Sequence, residues 1–184
     1  MSQYKIAVVV GSLRRGSFNR QLAKAVAKLG PVDFSFQELQ IGDLPLYNQD
    51  DEATPADPVK RLKSEIAAAH AVLFVTPEYN RSIPGVLKNA IDQASRPYGQ
   101  SAWAGKPAAI LSASVGASGA AMAQQHLRNI LAYLDMPVLA QPEVFIHVKN
   151  GLFDESGNIV NPDTQTFLQG WMDRYADWVK QHAK

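Results

Sequence analysis

The sequence predicts an α/β protein: a three-layer α/β/α sandwich with a five-stranded parallel sheet in the middle. Two observations lead to this prediction. Three apolar runs of four or five residues lack polar alternation, at residues 6–10, 71–75 and 108–111, as is typical of strands buried on both faces. Apolar residues at helical spacing lie between these runs, and strands that alternate with helices indicate βαβ units with right-handed crossovers.

Two weaker runs complete the predicted sheet. Residues 32–39 alternate between apolar and polar side chains, which is typical of a strand at a sheet edge, and residues 143–148 form the fifth candidate. The last helical stripe contains Trp171, Tyr175 and Trp178, and we expect it to pack in the core. The predicted helical stripes fall at residues 22–29, 62–69, 86–94, 122–134 and 167–179.

Length and composition restrict the class of protein. A chain of 184 residues is close to the ~150-residue prior for one domain, so we predict a single domain over residues 1–184. The 46% hydrophobic and 19% charged residues exclude a disordered chain. A net charge of +1 argues against nucleic acid or a membrane surface as the main partner. Because the chain has no cysteine, it has no thiol chemistry, and electron transfer would need a bound cofactor.

The N-terminal segment does not resemble a targeting signal. Its apolar run, residues 6–10, is shorter than the roughly 7–15 residues of a signal peptide. No apolar stretch approaches the ~18 residues that a membrane span requires. We therefore expect a cytoplasmic protein.

The loop after the first apolar run has the composition of a phosphate site. In an open parallel sheet, ligands bind beyond the carboxyl ends of the strands, where the strand order reverses. Backbone N–H groups at the start of the following helix also favour an anion. The alternative is an ordinary strand–helix turn in which Ser17 is the N-cap. The loop, residues 11–19, offers hydroxyl, amide and guanidinium groups: Ser12, Arg14, Arg15, Ser17 and Asn19.

The same loop lacks two familiar nucleotide patterns. Gly11 and Gly16 have the spacing of a nucleoside triphosphate loop, but Ser17 and Phe18 stand where Lys and Ser or Thr are needed. Leu13 occupies the position of the second glycine in the dinucleotide pattern. A monophosphate, held by hydroxyl and N–H groups without a metal, fits better.

Two further loops indicate a planar ring. Residues 76–85 contain two prolines, and Glu78, Tyr79 and Asn80 present polar groups beside an aromatic plane. The alternative is a turn in which Tyr79 simply packs. Residues 112–119 are small and permit close backbone approach to a flat ligand, although a plain connector has the same composition. One ligand with a monophosphate and a broad ring suits all three loops, and flavin mononucleotide (FMN) is such a ligand.

Three segments carry a resemblance to a known family. They are GSLRRGSFN at residues 11–19, PEYNRSIPG at residues 77–85 and LKNAID at residues 87–92. Together they resemble the NADPH-dependent FMN reductase family, and more narrowly its bacterial chromate/quinone reductase branch. The resemblance implies a flavodoxin-like fold, noncovalent FMN, NADPH or NADH as co-substrate, and a homodimer or homotetramer.

The resemblance also implies roles for individual residues. The third loop matches the family less closely, so backbone roles are expected there. At the FMN phosphate it places Ser12, Arg14, Ser17, Phe18 and Asn19. At the ring and ribityl chain it places Pro77, Glu78, Tyr79 and Asn80, together with Ser112, Ala113 and Ser114.

In such enzymes the flavin performs the chemistry, so we predict no catalytic side chain and no metal site. We expect ping-pong transfer of a hydride from NAD(P)H to acceptors such as quinones, chromate, free flavins or azo compounds. Arg81 lies beside the expected flavin edge and could attract the NADPH phosphate or an anionic acceptor; a solvated surface arginine is the alternative. Two other classes stay open, a flavodoxin-type electron carrier without an NAD(P)H site and a non-flavin hydrolase of similar topology.

Overall fold

The computed structural model describes residues 4–149, 151–154 and 156–183. Five parallel strands form one sheet in the order β2-β1-β3-β4-β5, which is the flavodoxin-like order. The strands are β1 (Tyr4–Val10), β2 (Phe34–Glu38), β3 (Ala71–Thr76), β4 (Ala108–Ser114) and β5 (Val144–His147). The helices are α1 (Phe18–Ala27), α2 (Asp57–Ala68), α3 (Gly85–Ser95), α4 (Ala121–Tyr133) and α5 (Pro162–His182), with a short 3-10 helix at Gln49–Asp51.

The predicted fold class is confirmed, and each of the five strands lies within three residues of its predicted bounds. The edge strand β2 is shorter than the alternating run and begins at Phe34. Strand β4 is longer than its apolar run, because Ser112, Ala113 and Ser114 continue to pair with β5. The third loop therefore begins at Val115, and the residues predicted to open that loop lie at the end of a strand.

Helices cover both faces of the sheet, and each face has its own core. On one side α1 and α5 contribute Leu22, Val26 and Trp171. On the other side α2, α3 and α4 contribute Leu62, Leu87, Leu127 and further buried residues. Burial of each such side chain contributes about 1.5–3 kcal/mol. The prediction that the C-terminal stripe packs in the core is correct for Trp171, Tyr175 and Val179, while Trp178 is only partly buried.

Local sequence signals set the helix starts. The hydroxyl of Ser17 accepts a hydrogen bond from the N–H of Arg20 and caps α1. Asn161 caps α5 in the same way by accepting from Thr164, and Pro162 follows at the first turn, where proline is favoured. No side chain of its own N-cap residue caps α4, and Ala120 there has a φ of 71°.

The long connection at residues 42–58 packs against α3. The Asn89 side chain accepts a hydrogen bond from the N–H of Tyr47 at 2.8 Å and donates to the carbonyl of Pro45 at 2.8 Å. The Tyr47 hydroxyl donates to Glu52 at 2.7 Å, and Arg96 donates to the same carboxylate at 2.9 Å. The segment is therefore anchored to its neighbour at several points.

None of the helices described is both long and apolar enough to cross a membrane. Among the described residues, no group of three or more His, Asp or Glu side chains could hold a metal ion.

Candidate active site

The loops after β1, β3 and β4 emerge from adjacent strands at the carboxyl edge of the sheet. Gly11 shows how closely the first loop approaches its neighbours. Its N–H donates to the carbonyl of Val75 at 2.9 Å. A Cβ at Gly11 would lie 2.9 Å from Oγ1 of Thr76 and 3.2 Å from Cδ2 of Leu87. A side chain at Gly11 would therefore force Thr76 or Leu87 to shift, which favours glycine at the start of the first loop.

The first loop forms a cradle suited to an anion. Ser12 and Ser17 are buried residues whose hydroxyls lie in this loop. The N–H groups of Phe18 and Asn19, in the first turn of α1, have no hydrogen-bond partner among the described residues. Free N–H groups at a helix N-terminus favour a phosphate through both hydrogen bonding and the helix dipole. The residues present at this end of the site thus fit an FMN phosphate.

Two arginines stabilise the cradle in different ways. Arg14 is exposed, donates to the carbonyl of Gly16, and lies with its guanidinium carbon 4.8 Å from the centre of the Phe18 ring. Arg20, which the sequence did not single out, donates to the carbonyls of Ser12 and Arg14 at 3.2 Å each. Its Nε also pairs with Glu38 at 2.7 Å, which ties the loop to the end of β2.

The side chain of Asn19 does not face the cradle. It is 3% exposed, and its Nδ2 donates to the carbonyl of Ala113 at 2.9 Å. The N–H of Ala113 donates back to Oδ1 of Asn19, also at 2.9 Å. Of Asn19, only the backbone N–H therefore remains for an anion.

The second loop contains a tight turn with unusual backbone angles. Tyr79 and Ser82 exchange two backbone hydrogen bonds, at 2.9 and 3.1 Å. Asn80 and Arg81, which lie between Tyr79 and Ser82, have φ values of 51° and 66°. Both values fall in the left-handed region, which residues other than glycine rarely adopt. Such strain is found most often at functional sites, where the surrounding structure holds it. The turn leaves Tyr79 52% exposed.

The carboxylate of Glu78 serves as a helix cap. Its Oε2 accepts hydrogen bonds from the N–H groups of Met122 and Ala123 at 3.1 and 3.2 Å. The side chain is only 11% exposed, and its other oxygen lies 3.7 Å from the guanidinium of Arg81. Glu78 thus supplies the cap that α4 lacks locally, and it joins the second loop to that helix.

At the end of β4 the hydroxyls of Ser112 and Ser114 are engaged within the protein, as is the backbone of Ala113. Ser112 is buried, and its hydroxyl donates to the carbonyl of Gly119 and accepts from Nε2 of Gln124. Gly119 is required there, because its φ is 58° and a Cβ would lie 2.7 Å from the backbone of Phe145. Ser114 is half-buried, and its hydroxyl accepts from the N–H of Gly116 at 3.0 Å.

Three side chains from the second loop and α4 line the outer part of the site. Arg81 is 74% exposed, with its Nη1 3.8 Å from the sulfur of Met122. Nδ1 of His126 lies 2.9 Å from the hydroxyl of Ser82. Met122 and His126 had no role in the sequence-based prediction of the site, because they lie more than 40 positions from the loop they contact.

An anion cradle after β1 and a strained turn after β3, at adjacent strands of a flavodoxin-like sheet, are an arrangement that fits FMN. Residues 4–151 match the family model for the NADPH-dependent FMN reductases, and the chain belongs to this family. It is an NAD(P)H-dependent oxidoreductase with FMN as its cofactor.

Similar proteins align over almost the whole chain. A 2-hydroxy-1,4-benzoquinone reductase of a Burkholderia species is 57% identical over 96% of both chains. A quinone reductase of Pseudomonas putida is 53% identical over 98% of this chain and 97% of that protein. Among solved structures, the flavoenzyme NAD(P)H:acceptor oxidoreductase FerB of Paracoccus denitrificans has a TM-score of 0.95 and 45% identity. The match covers 98% of this chain and 100% of FerB.

Proposed function

We propose that this protein reduces quinones at the expense of NAD(P)H, with FMN held noncovalently across the three loops. The observation that carries the proposal is the pairing of an anion cradle after β1 with a strained, solvent-facing turn after β3, at adjacent strands. The names of the relatives in Burkholderia and Pseudomonas putida support quinones as the acceptors.

The phosphate end of the cofactor is assigned to the first loop. The hydroxyls of Ser12 and Ser17 and the free N–H groups of Phe18 and Asn19 would hold the phosphate. Arg14 adds positive charge at the open side of this cradle. Among the described residues its side-chain hydrogen bonds run to Gly16 alone, two residues away, so it can turn toward an anion at small cost.

The ring end of the cofactor is assigned to the second loop and the end of β4. Residues 77–80 (Pro77, Glu78, Tyr79 and Asn80) would approach the ring mainly through their backbone, since the Glu78 carboxylate is occupied by α4. Ser112, Ala113 and Ser114, at the end of β4, would line the ribityl chain, with the N–H and C=O of Ala113 engaged by Asn19. Bound FMN supplies hydride acceptance from a nicotinamide and return of the reducing equivalents to an acceptor.

The outer residues favour flat acceptors and tolerate negative charge. The half-exposed ring of Tyr79 and the side chain of Met122 provide apolar surface for stacking. The exposed guanidinium of Arg81 attracts anions, so we extend the proposal to chromate, and on the stacking surface alone to free flavins and azo compounds. Donor and acceptor would use this one surface in turn, which gives ping-pong kinetics. The proposed reaction requires no side chain of the protein as a nucleophile.

Assembly and location are part of the same proposal. Met122 and Tyr133, at the two ends of α4, are exposed, and Leu46 is exposed in the segment that packs on α3. These apolar groups support a homodimer or homotetramer formed through this side of the molecule. Gel filtration that gives a 20.1 kDa species retaining FMN would contradict it. We also place the protein in the cytoplasm, where NAD(P)H is generated; cell fractionation tests this.

One experiment tests the main proposal. The purified protein is examined for flavin absorbance, then mixed anaerobically with NADPH, and finally with a benzoquinone. We expect a yellow protein that NADPH bleaches and the quinone restores. A colourless protein that cannot be reconstituted with FMN would contradict the cofactor site. A yellow protein that NADPH does not bleach would indicate an electron carrier instead.

A further inference from the structure

The last residues of β4 extend beyond the end of the neighbouring strand β3. Strands β3 and β4 pair as far as Thr76 and Ser112, after which β3 ends and the second loop begins. Ala113, the next residue of β4, is 1% exposed and still has β5 on its other side. The N–H and C=O of one strand residue point toward the same side, so Ala113 presents both groups where β3 has ended.

The side chain of Asn19 fills the place of the missing strand. A carboxamide carries one acceptor oxygen and an NH₂ donor, as a backbone peptide group carries one acceptor and one donor. Its two hydrogen bonds to Ala113, each 2.9 Å long, reproduce the pair that a neighbouring strand would make. Among the described residues, these are the only side-chain hydrogen bonds that join residues 11–19 to residues 108–119.

We propose that Asn19 is a positioning residue that fixes the separation between the phosphate half and the ring half of the FMN site. This inference rests on the proposed function. Asn19 lies in the first turn of α1, whose free N–H groups face the cradle, and Ala113 lies beside the residues assigned to the ring. The two residues are 94 positions apart in the chain, so no local segment holds them together.

FMN binds through two ends, its phosphate and its ring, so the separation of the two half-sites affects its affinity. Once the ring of FMN is bound, its phosphate meets the cradle as an intramolecular partner, at an effective concentration that depends on the geometry. Arg20 holds the cradle to β2 on one side, and Asn19 holds it to β4 on the other. Without Asn19 the cradle can shift relative to the ring half, and the advantage of joining the two ends is lost.

The test compares two ligands that differ only in the phosphate. Dissociation constants for FMN and for riboflavin are measured by titration of flavin-stripped full-length protein. In Asn19→Ala we expect FMN binding to weaken by about 10- to 100-fold, with riboflavin binding changed by less than about threefold. The matched control is Val26→Ala, a fully buried residue of α1 outside the cradle, which lowers stability but leaves both constants within about threefold.

A second readout does not depend on flavin. Hydrogen exchange at the N–H of Ala113 in the flavin-stripped protein should be slow in the wild type and in Val26→Ala, and fast in Asn19→Ala. Unchanged FMN affinity in Asn19→Ala, or equal losses for FMN and riboflavin, would overturn the positioning role. If the wild type binds no FMN while Ala113 is protected, the proposed function and this role both fall, and Asn19 is a purely structural clamp.

Discussion

At the scale of single residues, the polar groups of the interior divide into those with partners and those without. Asn19 and Ser112 are buried and fully engaged by backbone groups or by Gln124. By contrast, Oε1 of Gln124 and the hydroxyl of Tyr175 have no partner among the described residues. A buried polar group without a partner costs about 1–3 kcal/mol of stability. Gln124 lies beside Ser112 at the candidate active site, whereas Tyr175 lies in the core on α5.

The Tyr175 hydroxyl gives a prediction about stability. The side chain is fully buried and stacks on Trp171 with ring centres 5.4 Å apart. Burial also raises the pKa of Tyr175, so the group stays neutral while the protein is folded. Tyr175→Phe removes the unpaired hydroxyl and keeps the stacking, so we expect it to raise the free energy of unfolding by about 1 kcal/mol. Urea unfolding measures this value.

The control for that substitution is Tyr98→Phe, which removes the same hydroxyl from an exposed ring. It should change the free energy of unfolding by less than about 0.5 kcal/mol. A loss of stability in Tyr175→Phe would mean that the hydroxyl has a partner after all, such as a buried water.

At the scale of the elements, sequence patterns predicted the strands, the helices and the three loops of the site. Apolar runs such as residues 71–75 predict buried strands, and the rule for parallel sheets then predicts where the ligand-binding loops lie. The patterns did not predict the contacts of Asn19 with Ala113 or of Glu78 with α4. In both, a side chain meets backbone N–H groups 44 to 94 positions away, and every residue except proline carries such a group. The partner therefore has no signature in the sequence.

The segment anchored on α3 gives a prediction about pH. The hydrogen bond from the Tyr47 hydroxyl, with help from the guanidinium of Arg96, holds the pKa of Glu52 below its ordinary value. A carboxyl whose pKa is lowered on folding stabilises the protein above its unfolded pKa, about 4.3 for Glu. That contribution is lost as the pH falls through the lowered folded value.

Tyr47→Phe removes this hydrogen bond. We expect the variant to be less stable than the wild type at pH 6–7, and the difference to shrink as the pH falls below about 4. Thermal unfolding of both proteins across this pH range is the measurement. Tyr98→Phe, on an exposed ring, should behave as the wild type at every pH. If the difference in stability between Tyr47→Phe and the wild type stays constant with pH, the pKa of Glu52 does not depend on the Tyr47 hydroxyl.

At the scale of the whole molecule, a net charge of +1 hides an uneven distribution. Arg14 and Arg15 lie in the first loop and Arg81 in the second, so three exposed guanidinium groups lie at the carboxyl edge of the sheet. One of them is partly balanced by Glu78 at 3.7 Å, and no pairing with a carboxylate is found for the other two among the described residues. Anionic ligands are therefore attracted to this edge although the chain as a whole is nearly neutral.

The charge distribution leads to a prediction for Arg81→Ala. Arg174→Ala is the matched control, because it removes the same charge from the exposed face of α5. We expect Arg81→Ala to raise the KM for NADPH and for chromate about fivefold, equivalent to ~1 kcal/mol, and to leave the KM for a neutral quinone unchanged. Because salt screens exposed charges over about 8–10 Å, the difference from the wild type should shrink as ionic strength rises. Equal effects of the two variants would assign the attraction to net charge, and an unchanged KM for both anions would make Arg81 an ordinary surface residue.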